Sequence, residues 1–227
     1  MTSAETAGGP GGVVVFVGTS LPHEETRALL PSARVLPPIA RGDLPRVVEE
    51  GATVVAIIDG VFHQKYPVAP FEIRDALAGG VRIFGAASMG ALRAAEMRTF
   101  GMIGVGTVFE WYRDGVLMRD DAVALQFDPD TFKNLTVPLV NVRWALQRAG
   151  EEGLLPVEAA QAVLAIAEEF FFRDLTWPRL LAKAETALPA GSDRAALVRA
   201  LSAWDLKRED ALRCVAAVAA LLAEGGR

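Results

Sequence analysis

At 227 residues, 52% of them hydrophobic and 22% charged, the chain can bury a large core without staples and is too apolar to be disordered. Its formal charge of -5 gives no general attraction to nucleic acid or anionic lipid. The single cysteine, Cys214, excludes a disulfide framework and a cysteine-based zinc site, and its apolar neighbours mark it as a buried structural thiol. No apolar run approaches the roughly 20 residues that span a bilayer. Residues 1–12 are small, polar and glycine-rich, with neither a basic start nor a hydrophobic segment, and read as a flexible tail on a cytoplasmic protein.

After the tail, short apolar runs alternate with helical patterns. Residues 13–17 (Val-Val-Val-Phe-Val) read as a buried strand ending in Gly18-Thr19-Ser20, followed by a helix over 21–30 with Pro22 and two glutamates in its first turn. A weak strand over 34–36, a proline-rich turn and a short helix over 43–50 lead to a strong strand over 53–58, which ends at Asp59-Gly60. A helix over 71–77 is stopped by Gly79-Gly80, and 81–84 is the next strand. Continuous apolar strands separated by helices predict an α/β fold: an open, mainly parallel sheet with flanking helices, a Rossmann-like three-layer core over residues 13–127.

Beyond about residue 137 the strand signal stops. Segments 138–149, 155–173, 177–188, 194–204 and 207–224 all have helical spacing, so 138–227 is expected to be an all-helical C-terminal region, either capping the sheet or forming a separate lobe. Within it, Phe170-Phe171-Phe172 reads as inter-helix core or as a partner-binding surface, with the core reading favoured.

Ligands of open α/β sheets bind at the carboxyl edge, where strands give way to helices. Three loops should meet there: Gly18-Thr19-Ser20-Leu21-Pro22-His23, Asp59-Gly60-Val61-Phe62-His63-Gln64-Lys65, and Gly85-Ala86-Ala87-Ser88-Met89-Gly90. The third is the most informative, since tiny residues before a helix N-terminus let a ligand's oxygens approach unpaired N–H groups. Ser88 stands where a nucleophile or an N-cap would stand, although Ala86 replaces the first glycine of a nucleophile elbow, and capping is the simpler account. Asp59 suits a catalytic or orienting carboxylate, or an Asx-turn. His63 is the first candidate for acid–base chemistry near neutral pH, with a surface loop histidine as its alternative, and His23 reads as solvated. Gly18, Thr19, Ser20, Gly85, Met89, Gly90, Arg93 and Glu96 complete the candidate substrate-binding set. Arg93 and Glu96 lie three apart on one alanine-rich helix, close enough for an ion pair. Asp120-Asp121 reads as a solvated turn in preference to a metal site, so no metal is expected. Neither a phosphate loop nor a dinucleotide fingerprint occurs, the glycines at 101, 104 and 106 being in the wrong order, so no nucleotide cofactor is expected.

These blocks, in order, resemble the TfuA-like family: Phe16-Val17-Gly18-Thr19-Ser20-Leu21-Pro22, Pro37-Pro38-Ile39-Ala40-Arg41-Gly42-Asp43, Ile57-Ile58-Asp59-Gly60-Val61-Phe62, Glu72-Ile73, residues 85–96, Phe100-Gly101-Met102-Ile103-Gly104-Val105-Gly106, and Asp114-Gly115 to Asp120-Asp121. The family's hallmark is a closely similar Gly-Ala-Ser-Ser-Met-Gly-Ala-Leu-Arg-Ala run, in which this chain carries Ala87 for the first serine and, earlier, Thr19 where proline is frequent. The resemblance covers about residues 13–127.

The resemblance implies an accessory role beside a YcaO-type enzyme, which uses ATP to activate a backbone amide, in thioamidation during the biosynthesis of ribosomally synthesised modified peptides. The implied sulfur source is sulfide or a sulfur-carrier protein with a C-terminal thiocarboxylate, which this protein would recruit and hydrolyse. A thiocarboxylate hydrolase needs a nucleophile, an oxyanion site and a pocket for an extended Gly-Gly tail. Ser88 and the helix after it supply the first two, and Asp59 or His63 the proton transfer. Whether the chain is an enzyme stays open, because a non-catalytic module that docks on and activates YcaO fits the same resemblance. An unrelated α/β hydrolase is disfavoured because both histidines precede Ser88. The precursor peptide and a second copy of the chain are further candidate partners; nucleic acid and membrane are not.

Overall fold

The computed structural model describes residues 12–62 and 66–225. Five parallel strands form one sheet in the order β2-β1-β3-β4-β5: β1 (Gly12–Phe16), β2 (Ala33–Leu36), β3 (Ala52–Ile57), β4 (Arg82–Ala86) and β5 (Ile103–Val105). The apolar runs become central strands because both faces are covered. Val14, Phe16, Val55, Ile57 and Ile83 bury against α2 (Asp43–Glu49), α3 (Pro70–Ala78) and α4 (Met89–Met97) through Leu44, Val47, Ile73, Ala76, Met89, Ala94 and Met97. The alternate residues, Val13, Val15, Val54, Ala56, Phe84 and Ala86, face α1 (His23–Leu29) and the last helix, α10 (Leu206–Gly225), which contributes Ala211, Cys214, Val215 and Val218. Burial pushes the Cys214 thiol up to about 12, consistent with its inert, packed setting.

Between the sheet and α10, the chain builds a helical cluster of α5 (Thr107–Arg113), α6 (Leu139–Glu151), α7 (Val157–Glu168), α8 (Trp177–Lys183) and α9 (Arg194–Leu201). Its core, including Val108, Leu146, Val163, Leu180 and Leu201, also takes in Ala91 of α4 and Leu206 of α10. Helices α6–α9 pack on one another beside α4 and α5, and α10 leaves that cluster to cover the sheet. Asp210, fully buried, fastens the crossing by accepting from the Thr107 N–H at 3.0 Å and the Val108 N–H at 2.7 Å. Of the aromatic triplet, Phe172 is buried, Phe170 packs on the helical core and Phe171 is half exposed.

Two elements lie where no strand or helix was expected, β5 and α5. β5 is three residues long, set among glycines at the sheet's edge, too short for an apolar run to show.

The glycines of the β4–α4 junction have a packing reason. A Cβ on Gly90 would lie 1.7 Å from the Ile57 carbonyl oxygen, and one on Gly85 2.2 Å from that of Gly90. Backbone thus meets backbone where α4 crosses the ends of β3 and β4. Gly90→Ala is expected to destabilise by about 3 kcal/mol or more, the upper end of overpacking costs. Gly79→Ala, whose added methyl finds ordinary space beyond 3.4 Å, should change stability by less than about 1 kcal/mol. Urea denaturation of both variants checks the contrast.

Candidate functional site

Strand order 2-1-3-4-5 reverses direction between β1 and β3, and the loops after these neighbouring strands part to form the switch-point crevice where α/β sheets bind ligands. Asp59, two residues past β3 and 1% exposed, closes it. Its Oδ2 accepts from the backbone N–H groups of Gly18 (2.9 Å) and Ser20 (2.8 Å), and its Oδ1 from the hydroxyls of Thr19 (2.9 Å) and Ser20 (2.6 Å). A buried carboxylate needs this many donors, and here they come from one short loop. Gly18, Thr19 and Ser20 are thereby committed to holding Asp59. His23, from the same loop, places Nε2 2.6 Å from the Val17 carbonyl and stacks on Phe132 at 5.2 Å.

Behind Asp59 stands a residue that the loop reading did not include. Lys207, in the first turn of α10 and 2% exposed, places Nζ 3.7 Å from Asp59 Oδ1 and donates to the Val123 carbonyl at 3.3 Å. Its backbone N–H donates to Asn141 Oδ1, and Asn141 Nδ2 donates to Asp205 Oδ1 at 2.8 Å. Burial lowers the Lys207 pKa, and the charges of Asp59 and Asp205 only partly oppose that. A sequence signal existed: 207, 211, 214, 215 and 218 share the buried stripe of α10, and lysine is the one cation in it.

Ser88 follows β4 through a tight turn. Ala87 adopts φ 62°, a conformation that costs a non-glycine residue, and the Ser88 N–H donates to the Ala86 carbonyl at 2.6 Å. This is the strand–turn–helix setting of a nucleophile elbow, with the strained residue one place before the serine. Ser88 occupies the N-cap position of α4, yet its side chain makes no capping bond. The hydroxyl, on a residue 6% exposed, has no partner among the described residues. The Ser88 carbonyl receives the Ala91 and Leu92 N–H groups and the Ile58 carbonyl receives that of Gly90. The Met89 N–H is left without an acceptor among the described residues.

Ser88, Met89, Thr19, Gly60 and Lys207 line one cavity of about 30 Å³, roofed by Val123, Ala124, Leu125 and Phe127. That volume holds a single water. The roof belongs to the stretch after Val123, and Asn134 ties it to the β1 loop by donating to the Thr19 carbonyl at 3.3 Å. Gly85 and Gly90 sit beneath, as packing positions. Arg93 lies further along α4, where Nε donates to the Val68 carbonyl at 3.0 Å and a second nitrogen pairs with Glu96, so both steady the segment leading into α3. His63 lies outside the described residues. Asp121 accepts from Nε and Nη2 of Arg119, and no group of three or more His, Cys, Asp or Glu gathers among the described residues.

The model of the TfuA-like protein family matches residues 59–176. The chain belongs to the TfuA-like family. The match starts at Asp59, includes the β4–α4 turn and runs through α7, while the β1 loop and Lys207 lie outside it. No curated protein matches the chain. Family membership supports an accessory role in thioamidation beside a YcaO-type partner. No helix among the described residues is long and apolar enough to cross a membrane.

The lowered pKa of Lys207 has a sign that can be tested. The folded value lies below the ordinary 10.5, so between the two the unfolded chain binds more protons, and stability rises with pH in that window. Heating scans from pH 7 upward should show this contribution in the parent and not in Lys207→Met. Because desolvation outweighs the attraction of the two aspartates, Lys207→Met should melt at or above the parent temperature at pH 7.

Proposed function

We propose that the protein serves YcaO-dependent peptide backbone thioamidation, in the making of ribosomally synthesised modified peptides, by recruiting a sulfur-carrier protein with a C-terminal thiocarboxylate and releasing its sulfur at the β4–α4 turn. The observation that carries the reading is the Ser88 hydroxyl: on a residue 6% exposed, without a partner among the described residues, at the head of α4 and lining the cavity at the switch point. A serine so placed attacks the thiocarboxylate carbon. The Met89 N–H and the N-terminus of α4 stabilise the negative oxygen that forms. Asp59 orients and does not shuttle protons in this account, since its four hydrogen bonds are all accepted from the β1 loop. The cavity of about 30 Å³ has room for one water, so in this reading an extended Gly-Gly tail enters as the segment over residues 123–127 moves aside.

One observation favours the non-catalytic reading, in which the protein docks on YcaO and activates it: the cavity beside Ser88 is small, about 30 Å³. Substitution of Ser88 separates the two. Ser88 makes no capping bond, so Ser88→Ala should shift stability by less than about 0.5 kcal/mol, below the ordinary cost of losing an N-cap. Sulfide release from a thiocarboxylated carrier by the purified protein should nevertheless fall by a factor of about 100 or more, as for a group needed in the transition state. Release at the parent rate would leave docking as the function.

A further inference from the structure

The geometry points to Lys207 as the general base that activates Ser88, an inference that rests on the reading of Ser88 as a nucleophile and adds the proton acceptor that reading lacks. Neither conventional candidate serves. Asp59 is saturated by four donors, and His63 lies outside the described residues. Lys207 and Ser88 line the same cavity, whose volume of about 30 Å³ has room for one water to relay a proton between them.

The amine is held but not used up. Of its three donors in the ammonium form, one reaches the Val123 carbonyl at 3.3 Å, and the Asp59 oxygen at 3.7 Å is beyond good hydrogen-bond distance. The charges that act on it are Asp59, from the loop after β3, and Asp205, just before α10. Both favour the ammonium. Burial opposes them and lowers the amine's pKa, and Asp59 already has four other donors. Serine paired with lysine is a known variant of the serine–histidine arrangement.

The proton balance closes. The neutral Lys207 amine takes the Ser88 hydroxyl proton as the Oγ–C bond forms and the carbonyl electron pair moves onto oxygen. Collapse breaks the C–S bond, and sulfur leaves as hydrosulfide with the proton returned by the Lys207 ammonium. Water, deprotonated by the same amine, then cleaves the acyl ester, giving a carboxylate and restoring Ser88. The net reaction is thiocarboxylate plus water to carboxylate plus hydrogen sulfide.

Two probes test this on the full-length protein: an alkyl fluorophosphonate, with the modified residue located by mass spectrometry, and a synthetic peptide ending in a Gly-Gly thiocarboxylate. The parent should be phosphonylated at Ser88 with a rate that rises with pH to a plateau, the midpoint lying below 10.5. Lys207→Arg and Lys207→Met should slow labelling by about 10²–10⁴-fold, the usual span of general-base catalysis, and remove the pH rise. Labelling of either folded variant at the parent rate, or no labelling of Ser88 in the parent, would overturn the assignment. Lys207-dependent labelling of Ser88 in a protein that leaves the thiocarboxylate peptide intact would retain the pair and refute thiocarboxylate hydrolysis. The pH profile of the parent needs no variant, so a folding failure does not shelter the proposal.

Discussion

The buried carboxylate of Asp59 is the contact on which the rest of the site depends. It gathers the β1 loop through four hydrogen bonds and faces Nζ of Lys207 from the last helix at 3.7 Å. Sheet, switch-point loop and C-terminal helix therefore converge on one side chain. Taking a carboxylate and a lysine out of water costs several kcal/mol per ion, which their mutual attraction rarely returns in full. The four donors account for the carboxylate. Nothing comparable accounts for the lysine, with one hydrogen bond at 3.3 Å. A well-packed apolar side chain would serve stability at least as well, so the retained amine is more readily understood as a group kept for chemistry.

The backbone at the β4–α4 junction works to the same end. Gly85 and Gly90 allow α4 to lie against the ends of β3 and β4 at distances no side chain permits. Ala87 accepts a left-handed turn that delivers Ser88 to the cavity, its hydroxyl making no capping bond. Close packing, local strain and a polar group without a partner among the described residues occur within six residues. Such features cluster where a protein holds a reactive group in a fixed place.

Much of this was legible in the sequence because its signals are local. Apolar runs over 13–17 and 53–58 can only be buried strands, and small residues between strand and helix mark the turn at Ser88. Strand order was not legible: it depends on which strands pair, and no residue near β1 states that β3 lies beside it. β5 was missed because Met102-Ile103-Gly104-Val105 offers too short an apolar run between glycines. Lys207 was missed because its significance lies in a contact with Asp59 from far along the chain. Its trace, a lysine on the apolar stripe of α10, is visible only once that stripe is aligned with the buried positions 211, 214, 215 and 218. The sequence named Asp59 and the residues 18–20 as neighbours at one edge, but not the near-total commitment of Gly18, Thr19 and Ser20 to holding the carboxylate, since hydrogen-bond partners in separate loops leave no pattern in either loop.

The central claim is that a buried, weakly solvated lysine amine shares the Ser88 cavity and titrates below its ordinary value. The most direct measurement is an NMR titration of the lysine side chains, with the Lys207 resonance assigned by its loss in Lys207→Met. The account predicts a midpoint for Lys207 below 10.5, and a perturbation of that resonance in Ser88→Ala that the other lysines do not share. A Lys207 midpoint at or above 10.5, insensitive to Ser88, would contradict it.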